Sequence, residues 1–243
     1  MNSSSEKILW LITARSGSKG IPNKNIKELV NMPLLAYKIK TALSISQSEN
    51  VWISTDSVEY ASIANEYGAH VPFIRPDELA LDNASSMDVV LHAMDYAENI
   101  GKTYDYIGLL EPTSPFVYFS DLQKALNELD KKDYAQAVVA VKETRPNTFF
   151  IQTESEFLDV LSKRIEDSKS LGRQFFEKEI TPSGGFYISR WNAFKEHKTF
   201  YTEKTLAHLI PDESSLEIDE YIDFEWAEFL LKYNKVDLKR IFK

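Results

Sequence analysis

Lys7–Ala14 reads KILWLITA, and Arg15–Asn25 continues as RSGSKGIPNKN. The first stretch is an almost unbroken apolar run, the pattern of a strand buried on both faces of a parallel sheet. The second is a basic loop with Gly17 and Gly20 set directly behind that strand.

Outward from this pair, strand and helix signals alternate. Pro33 opens a helical pattern through about Ser46, and Val51–Thr55 (VWIST) is the second strand. Asp56–Glu59 resembles a capping box for a helix that stops at Gly68, and Val71–Ile74 is a short strand. Ser85–Asp88 starts a helix with Val89, Val90, Ala93 and Ala97 on one face and Gly101 as its stop. Tyr106–Leu110 is a strand, Ser120 caps the next helix, and Ala137–Val141 is a further strand. Such alternation predicts an α/β fold with a mostly parallel central sheet covered by helices on both faces. The rhythm breaks over residues 142–182, a polar stretch with Pro146 and Pro182, read as an arm on a single domain spanning 1–243. Gly184–Ser189 resumes the sheet, Leu206–Ile210 adds a short strand, and Asp223–Tyr233 is a last amphipathic helix.

Composition narrows the function classes. The 243 residues carry 28 Lys+Arg against 37 Asp+Glu, a net charge of −9, which repels a phosphate backbone and argues against nucleic acid as a partner. There is no cysteine, so disulfide frameworks, thiol nucleophiles and cysteine-ligated zinc are excluded, and the four histidines form no metal or triad pattern. No apolar run reaches the roughly 18 residues that a membrane helix needs, and the first residues lack a secretory signal, so no membrane association and a cytoplasmic location are expected. Charge is uneven: residues 1–27 hold Lys7, Arg15, Lys19, Lys24 and Lys27 against Glu6 alone.

A small anionic ligand explains that local excess. In open α/β sheets ligands gather outside the carboxyl ends of the strands. Gly17 and Gly20 let backbone N–H groups approach phosphate oxygens, and Arg15, Lys19 and Lys24 add three cations that suit a triphosphate or a leaving pyrophosphate. The spacing is neither a Walker A loop nor a G-x-G-x-x-G turn, and a solvated basic turn has the same composition. A second cluster is acidic: Leu216–Phe224 (LEIDEYIDF) sets Glu217 and Asp219 two apart. If extended, this stretch turns both carboxylates to one side, where they can share a hard cation such as Mg²⁺; acidic residues before a helix are also ordinary start chemistry.

ARSGSKGIPNKN, then STD (54–56), RPDELALDNASS (75–86), LLEPTSP (109–115), a GGFYI strand (184–188) and the acidic EID (217–219) together resemble the acylneuraminate cytidylyltransferases. These are the CMP-sialic acid synthetases and their relatives acting on legionaminic or pseudaminic acid, and the resemblance runs from Lys7 to about Leu231. It implies a Rossmann-like nucleotidyltransferase fold with a dimerisation arm over 142–182, a homodimer, CTP and a nine-carbon 2-keto sugar acid as substrates, and Mg²⁺ as cofactor. By match to the family pattern, Ala14, Arg15, Lys19, Lys24 and Asn25 serve the triphosphate and ribose. Arg75, Ala84 and Ser86 line the cytosine pocket, and Asp219 with Glu217 holds the metal.

Three positions depart from that pattern. Glu111 stands where the family usually has Gln, at a position that touches the sugar. Thr181 stands where sialic acid enzymes often place an Arg, and Glu217 replaces the first Asp of the usual acidic pair. The first two fall on the sugar side and make a modified nonulosonic acid, such as legionaminic acid, an alternative to N-acetylneuraminic acid. The three departures together leave a second reading, a nucleotide-binding scaffold that has lost catalysis; a cytidylyltransferase for another acidic sugar such as Kdo is a third.

Overall fold

β1, Ile8–Thr13, has no polar side chain before Thr13, and Ile8 through Ile12 are fully buried. Such a strand needs a neighbour on each edge and a helical layer on each side. The computed structural model describes residues 7–18, 20–144 and 179–243, and within them β1 finds both. It pairs in parallel with β2 (Val51–Ser54) on one edge and β3 (Tyr106–Leu110) on the other. With β4 (Ala137–Glu143), β5 (Ile180–Arg190) and β6 (Thr205–Leu209) the order is β2-β1-β3-β5-β4-β6. β5 is antiparallel to both its neighbours, while β4 and β6 pair in parallel.

Helices α1 (Leu34–Leu43), α2 (Val58–Glu66) and α4 (Phe119–Lys131) cover one face through Leu35, Ile39, Tyr60, Leu122 and Leu126. α3 (Ser86–Asn99) and α5 (Trp191–His197) cover the other through Val90, Met94, Trp191 and Phe194. α6 (Tyr221–Lys232) and α7 (Leu238–Ile241) close a third apolar cluster, in which Phe224 and Ile241 meet Ile21, Leu34 and Ile218. That cluster ties the C-terminal helices to the loop after β1, and so sets one wall of the site.

Several expectations need correction. Val71–Ile74 is not a strand: His70 makes one isolated bridge to Trp52, and Pro72 then has no N–H to continue a ladder. Ser57, not Asp56, caps α2, its Oγ accepting from the Tyr60 N–H at 3.3 Å. Tyr118 rather than Ser120 precedes α4. The strand that resumes the sheet starts at Ile180, earlier than Gly184, because Ile180 and Thr181 pair with Glu143 and Lys142. α5 was hidden in a short aromatic-rich segment. The expected arm lies almost wholly at 145–178, outside the described residues.

Gly108 shows how closely the sheet centre is fitted. It faces Trp10 across the β1–β3 pairing, and a Cβ built there would run into the indole ring. Gly108→Ala is expected to lower unfolding stability by about 1–3 kcal/mol through overpacking, read as a reduced midpoint in urea or heat; an unchanged midpoint would show that the indole can step aside.

Candidate active site

The carboxyl ends of β1 and β3, the loop before α3 and the segment before α6 enclose a cleft of about 460 Å³. Its elements arrive there because parallel strands end together, which is why ligand sites form at this edge of a sheet. Arg15, Lys24 and Asn25 come from the loop after β1, Arg75 and Ala84 from the segment between α2 and α3, Ser86 from the first turn of α3, Glu111 from the end of β3, and Asp219 from the approach to α6.

Each is held by a definite partner. The Arg15 guanidinium donates to Asp82 Oδ1 at 2.8 Å and to the Ala80 carbonyl at 3.4 Å. Asn25 is buried, and its Nδ2 donates to the Arg15 carbonyl at 3.0 Å, fixing the backbone from which that arginine extends. Lys24 Nζ donates to the Ile218 carbonyl at 2.7 Å and lies 3.3 Å from Asp219 Oδ1. The Ile218 N–H in turn donates to the Thr113 carbonyl at 2.8 Å, so one buried isoleucine links β1's loop to the turn after β3. Gly20 is required at this crossing: a Cβ there would come within 2.7 Å of the Asp219 carbonyl oxygen.

Arg75 is only 4% exposed. It donates through Nε to Ser54 Oγ at 3.0 Å and through Nη2 to the Ser54 carbonyl, bracing the end of β2 while it lines the cleft. Burial pulls its pKa down to about 10, against the opposing pull of Asp56. Burial and then the Glu217 carboxylate push the Glu111 carboxyl above the ordinary range, against Lys38 and Lys24. Burial also raises Glu217, with Lys142 opposing and Asp219 adding to the rise.

Not every expected site residue reaches this cleft. Ala14 is fully buried, its N–H bonded to the Ser54 carbonyl at 3.0 Å. Thr181 sits in the β4–β5 ladder opposite Lys142. Lys19 lies outside the described residues. Asp219 lines this cleft, whereas Glu217 lines a neighbouring one with Lys142, 3.8 Å away; Ile218 between them is buried, and Asp219 still acts electrostatically on Glu217.

For a hard cation the main cleft offers Asp219, whose side chain is 75% exposed; Asp82, paired with Arg15, and Glu111 also line it. Among the described residues no group of three or more His, Cys, Asp or Glu is arranged to hold a metal ion. An open carboxylate of this kind suits Mg²⁺ bound chiefly through substrate phosphates and water, and does not suit an all-protein cage.

Three contributors were given no site role by the sequence reading, although Asp56 stands in the STD block and Asp82 in the RPDELALDNASS block. Asp56 is the anchor of the basic loop, accepting from the Ser16 N–H at 2.9 Å and from Ser16 Oγ at 2.6 Å. Burial works to raise its carboxyl, but the two Ser16 bonds, its own backbone and Arg75 together outweigh burial and hold it below the usual range. Asp82 is the partner of Arg15. Lys38 is fully buried with its Nζ on the Gly185 carbonyl at 2.8 Å, and a signal for it existed: it lies on the buried side of α1 among Leu34, Leu35 and Ala42.

The cytidylyltransferase family profile matches residues 9–235. The N-acylneuraminate cytidylyltransferase of Escherichia coli O18:K1:H7 is 36% identical over 91% of this chain, which spans about half (51%) of that relative's length. The CMP-N,N'-diacetyllegionaminic acid synthase of Legionella pneumophila is 30% identical over 94% of this chain and 98% of its own. Among solved structures, a CMP:2-keto-3-deoxy-manno-octonic acid synthetase complexed with CTP matches with a TM-score of 0.64, covering 94% of this chain and 100% of that one at 14% identity, a likeness of fold. No described helix is long and apolar enough to cross a membrane. With its sheet, its basic loop and its profile in agreement, the chain belongs to the cytidylyltransferase family.

Proposed function

We propose that this cytidylyltransferase activates a nonulosonic acid, converting CTP and the sugar acid to the CMP-sugar and pyrophosphate. The observation that supports it most is the convergence in one cleft of Arg15, Lys24 and Asn25 with Arg75, Ala84 and Ser86, six residues drawn from two separate blocks of the family pattern. The nonulosonic substrate class is supported by the names of the E. coli and L. pneumophila relatives.

In the reaction the sugar's anomeric hydroxyl oxygen forms a bond to the α-phosphorus, the bond from that phosphorus to the pyrophosphate oxygen breaks, and the hydroxyl proton is lost. Such a transfer asks the protein for alignment and for neutralisation of charge. Arg15 and Lys24 supply the neutralisation, each exchanging a carboxylate contact, with Asp82 and Asp219, for a phosphate oxygen. Arg75 and the Ala84–Ser86 backbone form the wall against the base. Asp219 is the residue to hold Mg²⁺, and Glu217 contributes through its negative charge from the next cleft. When bound, the cation supplies charge stabilisation on the phosphates. A homodimer and a cytoplasmic setting complete the reading on the family resemblance.

The test is Mg²⁺-dependent pyrophosphate release from CTP with N-acetylneuraminic, legionaminic, pseudaminic and Kdo acids. Release with one of the first three is expected. Release with Kdo alone would move the enzyme to the other sugar class, and binding of CTP with no release across the panel would favour a scaffold. Arg15→Ala and Asp219→Asn are each expected to lower turnover by about 100-fold or more while the unfolding midpoint stays near that of the parent. Parental turnover in either variant would remove that residue from the assigned role.

A further inference from the structure

Ser54 ends β2, and with Thr55 it is fully buried behind the cleft, outside its lining. Both oxygens of Ser54 are in use. Its carbonyl accepts from the Ala14 N–H at 3.0 Å, where β1 gives way to the basic loop, and from Arg75 Nη2. Its Oγ accepts from Arg75 Nε at 3.0 Å. The Thr55 carbonyl accepts from the Arg75 N–H at 2.8 Å, so backbone and side chain of that arginine are tied to consecutive residues. Asp56 follows, and its two carboxylate oxygens take the Ser16 N–H at 2.9 Å and the Ser16 hydroxyl at 2.6 Å.

These contacts reach different ends of the cleft. A guanidinium is a rigid fork of donors, so tying one edge of Arg75 to Ser54 sets the direction in which its other N–H groups can face a ligand. What donors recognise on a base is an acceptor edge. Cytosine has acceptors at O2 and N3, whereas uracil carries an N–H at N3. Ser16 instead stands between Arg15 and Gly17 in the basic loop. Asp56 therefore fixes the stretch of backbone from which Arg15 reaches toward phosphate. Removing either acceptor strands its donor, and the group that carries the donor then turns to find another.

We propose that Ser54 and Asp56 are positioning residues with separate duties, each acting without contact to the nucleotide: Ser54, through Arg75, sets the choice of base, and Asp56, through Ser16, sets the hold on the phosphates. The assignment rests on the reading of this cleft as a CTP site and does not depend on which sugar is used.

Binding of CTP, UTP and inorganic pyrophosphate, each with Mg²⁺ and without sugar, is measured by calorimetry on the parent, Ser54→Ala, Asp56→Asn, Ser16→Ala and the Asp56→Asn/Ser16→Ala double variant. Ser54→Ala is expected to weaken CTP about tenfold and to cut the preference for CTP over UTP by a similar factor, with pyrophosphate within about twofold of the parent. Asp56→Asn is expected to weaken CTP and pyrophosphate about tenfold each, with the preference for CTP over UTP within about twofold. Ser16→Ala moves pyrophosphate in the same direction, and the double variant loses less than the product of the two separate losses, because both act on one contact. A general loosening of the β2 end would shift base preference and pyrophosphate affinity together in either variant, and that result would overturn the proposal. So would affinities that do not move, or losses at Asp56 and Ser16 that multiply. Equal binding of CTP and UTP by the parent would overturn the role of Ser54. A parent that binds none of the three ligands would remove the CTP reading of the cleft as well, whereas a parent that prefers CTP leaves that reading standing whatever the variants do.

Discussion

β1 must be dry on both faces, and the rest of the molecule follows from that constraint. A strand of Ile, Leu and Trp cannot sit at a sheet edge or under a single layer. It is flanked by two parallel strands and covered by helices on either side, and parallel pairing then brings the three carboxyl ends to one edge. The polar residues that begin where the apolar run stops are delivered to that edge together. Trp10 lying over Gly108 is the same constraint at atomic scale, since the largest side chain of β1 is accommodated by the smallest residue of β3.

The sheet was legible because its signals are local. An apolar run, a capping serine and a stop glycine each act within a few residues, and β1, β3, α3 and the positions of most loops follow from them. Signals failed where a distant partner decides the outcome. Asp56 has the composition of a cap, yet Ser16, forty residues away, claims its carboxylate. Glu217 and Asp219 stand two apart, and the backbone of Ile218 between them is tied to Thr113 and Lys24 from distant parts of the chain. Neither outcome can be read from neighbours in the chain. Lys38 differs: a lysine inside an apolar helical stripe is a local anomaly, and it was open to notice before any coordinates.

Charge in the cleft is graded. Cations concentrate on the loop after β1, while Glu111, Glu217 and Asp219 crowd the side toward β5 and α6. The overall acidity of the chain is thus no obstacle to an anionic substrate, since the potential that matters is that of one loop facing one cleft. The same gradient gives the cleft a polarity, with phosphate oxygens favoured at one end and donor groups at the other.

The carboxylates of Asp56 and Asp82 give the basic loop a shape in the absence of any ligand. A glycine-bearing loop with several like charges would otherwise sample many conformations, and a nucleotide would have to still it on arrival. Here Ser16 and Arg15 are already engaged. The entropy lost in arresting that stretch is charged to folding, when the rest of the domain is also ordering, and is no longer owed at the moment of encounter.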